Sequence, residues 1–119
     1  MNFEEILRLL FPEGMLDYFT VIRTDKAKDY YTIYLEEKNT PPEEFTNQKL
    51  SSKGFYEPVT IQDFPLRGKA CYLNVRRRRW TNEDTGDIVS RDWTIVAKGT
   101  RMTQEFASFL KAINRFQSR

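Results

Sequence analysis

Four consecutive arginines closed by a tryptophan, Arg76-Arg77-Arg78-Arg79-Trp80, lie in a stretch that otherwise reads as a β-strand. Strand side chains alternate between faces, so Arg76, Arg78 and Trp80 project one way and Arg77 and Arg79 the other. Both faces of that strand end are therefore cationic. An ordinary sheet buries one face, and burying an unpaired guanidinium is too costly for a small domain to tolerate. Two outcomes remain: the strand end projects beyond the core, or it meets carboxylates there.

The β pattern covers residues 70–80 and resumes over 88–97, with the turn formers Asn82-Glu83-Asp84-Thr85-Gly86-Asp87 between, which predicts an antiparallel hairpin. A loop centred on Asp84-Thr85 sets Arg77 opposite Asp92 and Arg76 near Trp93. In that register Arg77 and Asp92 form a structural pair. The remaining guanidinium groups are expected over Trp80 or Trp93 as cation–π pairs, worth about 0.5–1 kcal/mol each when exposed.

Elsewhere the spacing is more ordinary. Phe3, Ile6, Leu7 and Leu10 recur at helical intervals behind Asn2 and Glu5, a capping box that predicts a helix over 3–11. Pro12 and Glu13 restart a short helix through Phe19. Residues 20–24 and 30–36 form a second hairpin around Asp25-Lys26-Ala27-Lys28, with Tyr31, Ile33 and Leu35 on one face and Tyr30, Thr32 and Tyr34 on the other. Residues 38–58 read as irregular, with Pro41-Pro42 and the turn cluster Ser51-Ser52-Lys53-Gly54. Val59-Thr60-Ile61 is a short strand, and Arg67-Gly68-Lys69 turns into the long one. Thr103 caps a last helix, about 103–117, striped with Phe106, Phe109, Leu110, Ile113 and Phe116. The expected fold is a single α+β domain over 1–119. It has a mainly antiparallel sheet with a protruding Arg-rich hairpin, an N-terminal helical pair and a C-terminal helix.

Composition narrows the chemistry. The chain has no histidine and one cysteine, so it builds no zinc site of the usual kind and no imidazole general base. Cys71 lies in an apolar-alternating segment, with no histidine to activate it, and reads as a small core residue in a reducing compartment. Glu83, Asp84 and Asp87 match no calcium-loop spacing and read as a solvated turn. No metal and no cofactor are expected. Met1-Asn2-Phe3-Glu4-Glu5 is acidic and no apolar run nears the roughly 18 residues of a membrane span, so the expectation is a cytoplasmic chain without a membrane partner.

A formal net charge of +2 conceals an asymmetry between the halves. Residues 1–65 carry seven Lys+Arg against twelve Asp+Glu, a net of −5; residues 66–119 carry twelve against five, a net of +7. The basic half points to a polyanion. Arg76, Arg78, Arg79 and Arg101 are the candidate phosphate contacts, with Trp80 and Lys98 completing a nucleic-acid site. A two-stranded ribbon fits the major groove of duplex DNA, whereas bases stacked on Trp80 or Trp93 favour single strands or RNA. The competing readings are a salt-bridged, solvated hairpin without a ligand and a protein-interaction module.

Several motifs read together carry a family resemblance. They are Leu35-Glu36-Glu37-Lys38-Asn39, Ser52-Lys53-Gly54-Phe55, Ile61-Gln62-Asp63-Phe64-Pro65-Leu66-Arg67-Gly68-Lys69, Arg76 to Trp80, Arg91-Asp92-Trp93, and Lys98-Gly99-Thr100-Arg101-Met102-Thr103. Over nearly its whole length the chain resembles the N-terminal region protein of a bacterial insertion-sequence transposase type. The resemblance implies a noncatalytic module that binds transposon-end DNA, its DDE catalytic region lying in a downstream reading frame or domain and serving as partner. More distant transposases carry a similar Arg-rich hairpin framed by zinc-binding Cys-x-x-Cys pairs. This chain departs from that pattern at every cysteine, which implies a zinc-free ribbon held by Trp80, Trp93 and packing. Thr103 onward resembles the start of the helical DNA-binding segment that follows in that family.

Overall fold

A computed structural model describes residues 2–12, 14–93, 96 and 104–114. It is α+β, with short helices at both ends of the chain and seven strands in two sheets. The chain divides into two compact units, 1–19 with 92–119 and 20–91.

In the first unit, helix α1 (Phe3–Leu10) opens on the expected capping box: Asn2 Oδ1 accepts the Glu5 N–H at 2.8 Å and Glu5 Oε2 accepts the Asn2 N–H at 3.2 Å. Such a cap contributes about 1 kcal/mol. Gly14, at φ 94°, then admits the short helix α2 (Met15–Tyr18). Phe19 is buried against a parallel Trp93 ring at 5.3 Å and an edge-on Phe109 at 5.6 Å. Phe11, Met15, Leu16, Val96, Leu110 and Ile113 are also buried in this unit. Phe109, Leu110 and Ile113 lie on helix α3 (Gln104–Asn114), as the stripe predicts. Thr103 and Phe116, and the side chain of Phe106, fall outside the described residues.

The second unit holds strands β1 (Phe19–Lys26) onward, β2 (Tyr30–Glu37), β3 (Leu50–Phe55), β4 (Val59–Leu66), β5 (Lys69–Arg76), β6 (Arg78–Asn82) and β7 (Ile88–Ser90). One sheet runs β1-β2-β5-β4 and the other β3-β6-β7. The β4–β5 hairpin turns on Arg67 and Gly68, both at positive φ, the requirement of a two-residue turn that follows strand twist. β2 pairs with β5 in parallel, from Tyr30↔Ala70 to Glu36↔Arg76. This places Leu35 and Glu37 on one face with Cys71, Leu73 and Val75, all buried.

Three expectations are corrected. Residues 70–80 are two strands, because the chain leaves the first sheet after Arg76 and enters the second at Arg78. The segment 50–55, read as irregular with a Ser51–Gly54 turn, is β3, antiparallel to β6 with a bulge between Ser52 and Gly54 that Gly54 accommodates at φ 100°. The second arm of the Arg-rich hairpin stops at Ser90 instead of running to 97: Trp93 and Val96 have helical backbone, and the Val96 N–H donates to Asp92 O at 3.2 Å.

Candidate functional site

The register of the Arg-rich hairpin is the expected one, with Arg79 opposite Ser90 and Trp80 opposite Val89. Its loop is fixed by Asn82, whose side chain accepts from the backbone N–H groups of Asp84 at 2.9 Å and Thr85 at 3.2 Å. Glu83, Asp84 and Asp87 are exposed there, so the hairpin's outermost part is acidic. The arginines lie at the opposite end, built into the sheet, where Arg76 pairs with a carboxylate and the Arg78 backbone N–H donates to another.

Arg76 ends β5 and is exposed. Its Nη1 donates at 3.1 Å to Glu36 Oε2 on the neighbouring strand. Arg77, the residue between the sheets, is buried, and its carbonyl accepts the Tyr56 N–H at 2.9 Å. Burial pulls its guanidinium below the ordinary arginine value, while Tyr56 and Glu37 nearby oppose that shift. Arg78 is held at three points: its N–H donates to Glu37 Oε1 at 2.9 Å, its Nε to the Glu37 carbonyl at 3.1 Å, and its Nη1 to Ser52 Oγ at 2.6 Å. Arg79 is half-buried and forms no ion pair among the described residues.

Two rings support the run. Phe55 lies 5.6 Å from the Arg76 guanidinium carbon and 4.5 Å from that of Arg78; Tyr56 lies 5.4 Å from Arg77 and 5.5 Å from Arg79. Strand alternation dictates this sorting, the even-numbered arginines meeting one ring and the odd-numbered ones the next.

Trp80 corrects the sequence reading. It is fully buried, its Nε1–H donating to Asn39 Oδ1 at 2.9 Å, and Arg91 is the arginine over its ring, at 5.9 Å. Trp93 is buried as well, so neither indole offers a face to a base. Lys98 and Arg101 fall outside the described residues, and Asp92 is exposed.

Sequence reasoning missed Glu37, the group on which this end of the sheet converges. It is 2% exposed and takes the Arg91 Nε–H at 2.8 Å besides the Arg78 N–H. Arg91 Nη2 also donates to Thr40 O at 2.5 Å. Burial pushes the Glu37 carboxyl up from its ordinary value, against the pull of Arg91 and Arg78. Segment 36–40 thus receives Arg76, Arg78, Trp80 and Arg91. The signal available in the sequence was the acidic pair Glu36-Glu37 closing one strand, matched to an arginine run closing another.

Among the described residues no group of three or more His, Cys, Asp or Glu is placed to hold a metal, and no helix is long and apolar enough to cross a membrane. Comparison with protein-family models, curated proteins and solved structures finds no match to this chain.

Proposed function

We propose that the chain is a noncatalytic nucleic-acid-binding module that serves a transposase, engaging transposon-end DNA through Arg78 and Arg79, with Arg76 beside them. The observation that carries the reading is the state of Arg78 and Arg79. Both are half-exposed and held against aromatic rings, and neither forms an ion pair among the described residues. A guanidinium with no carboxylate salt-bridged to it, and already ordered against a ring, loses little entropy in meeting a phosphate. The transposase assignment is supported by the motif resemblance that runs from Leu35 to Thr103, and it implies a cytoplasmic working site and a separately encoded catalytic region as partner.

The phosphates lie along the flank of the hairpin in this reading, since an acidic tip is repelled by a groove. Anisotropy titrations of labelled transposon-end duplex test it. Replacing Arg78 and Arg79 together with alanine weakens binding by about tenfold or more at low salt, while Lys28→Ala, at an exposed turn, leaves it near the parent value. Equal affinities for parent and double variant, with both folded, would refute the role of the run.

A second reading is favoured by α1, where Ile6, Leu9 and Leu10 are exposed. Apolar side chains clustered on one short helix suit docking of the catalytic region. Capture of that region by the parent and not by Leu9→Glu, without DNA present, separates docking from DNA binding.

A further inference from the structure

The face of the four-stranded sheet opposite its buried side carries chemistry that Arg78 and Arg79 do not use. At the end where the arginine run begins, a cleft of about 280 Å³ opens, lined chiefly by Arg23, Tyr34, Pro58, Asn74 and Arg76. Both charged residues of the lining are arginines. The carboxylates that pair with them, Asp25 and Glu36, stand outside it.

Arg23 is poised as a stacking layer. Its guanidinium carbon sits 3.8 Å from the Tyr34 ring centroid, and its Nη1 donates to both Asp25 oxygens, at 3.0 and 3.1 Å. The Tyr34 hydroxyl donates to the same carboxylate at 3.0 Å, so ring and guanidinium are tied to one anchor. The Arg23 side chain nonetheless stays 58% exposed. Beside Tyr34 on the neighbouring strand, the half-buried Asn74 amide has no hydrogen-bond partner among the described residues, leaving its acceptor and two donors unspent.

We propose that this cleft takes one unpaired nucleotide, its base stacked on the Arg23–Tyr34 layer with its edge on Asn74, and its phosphate on Arg76. An unpaired base offers both a free face and a free edge, and proteins take such bases on aromatic rings and guanidinium planes. A base inside a duplex offers neither face. Continuity with the arginine run supports the assignment, because Arg76 shares the Phe55 ring with Arg78. A strand leaving the cleft past Arg76 meets Arg78 next. The inference rests on the nucleic-acid reading above and narrows its ligand to DNA with an unpaired end.

The test compares two labelled DNAs of one duplex sequence, one blunt and one with a short oligothymidine overhang, titrated with the full chain. The parent binds the overhang about tenfold more tightly, the size of one base stack. Arg23→Ala and Asn74→Ala, both outside the buried core, bring that ratio towards one while blunt-duplex binding persists. Using the ratio cancels any general effect of the charge lost at Arg23. A parent ratio of one with the blunt duplex bound, or a ratio that neither variant changes, overturns the cleft assignment and leaves the nucleic-acid reading standing. Failure of the parent to bind either DNA overturns both.

Discussion

Glu37 is almost wholly buried and shares its two oxygens between the Arg78 N–H and the Arg91 side chain, so its protonation is coupled to how β6 is held. Burial raises its folded-state pKa, so the folded chain binds the Glu37 proton more tightly than the unfolded chain does. The stability this proton confers is fully present below the unfolded value and is lost as pH rises through the raised folded one. Glu37→Gln has no such proton to bind. On going from about pH 7 to about pH 5, the urea midpoint of the parent should therefore gain on that of Glu37→Gln. Loss instead of gain would mean that the two donors outweigh burial. Glu37→Ala removes the carboxylate altogether and is expected to cost about 3–5 kcal/mol, as breaking a buried pair does, measured by urea unfolding at neutral pH.

At the scale of elements, β6 joins the arginine run to the second sheet, and Trp80 is its anchor. Trp80→Phe loses the bond to Asn39 and part of a buried ring, an expected cost of about 1–3 kcal/mol. DNA binding per folded molecule should stay unchanged, because the indole is enclosed; thermal melting and anisotropy on one preparation check both. A loss of binding without a loss of stability would restore Trp80 to the interface. Much at this scale was legible in the sequence. The Asn2–Glu5 box marks the start of α1, and the loop around Asp84-Thr85 sets the register of Arg79 against Ser90, since both are local signals. What escaped depends on partners far along the chain. Leu50–Phe55 lacks clean alternation and becomes a strand by pairing with β6. Phe55 and Tyr56 take up the arginines only once that pairing exists. The sheet switch at Arg77 has no local turn residue to announce it, and Glu37 becomes a hub through the parallel β2–β5 register.

For the molecule as a whole, a net charge of only +2 gives weak long-range attraction to a polyanion, so the proposed DNA binding would depend on which guanidinium groups are locally free. Salt titration counts them. Each phosphate neutralised on a duplex contributes about 0.9 to the slope of log affinity against log salt. Replacing Arg78 and Arg79 should therefore reduce the slope by about 1.8, whatever Lys98 and Arg101 contribute, since those residues are common to both proteins. Arg76 is held by Glu36, so adding Arg76→Ala lowers the slope further by less than the full increment. Arg77 is buried, and its replacement should lower the melting temperature without reducing the slope. A run presented wholly to solvent would behave differently, losing about 0.9 for every arginine removed. The increments thus separate an arginine tract that merely lies on the surface from one sorted by two sheets, with Arg77 inside, Arg76 paired and Arg78 and Arg79 left to bind.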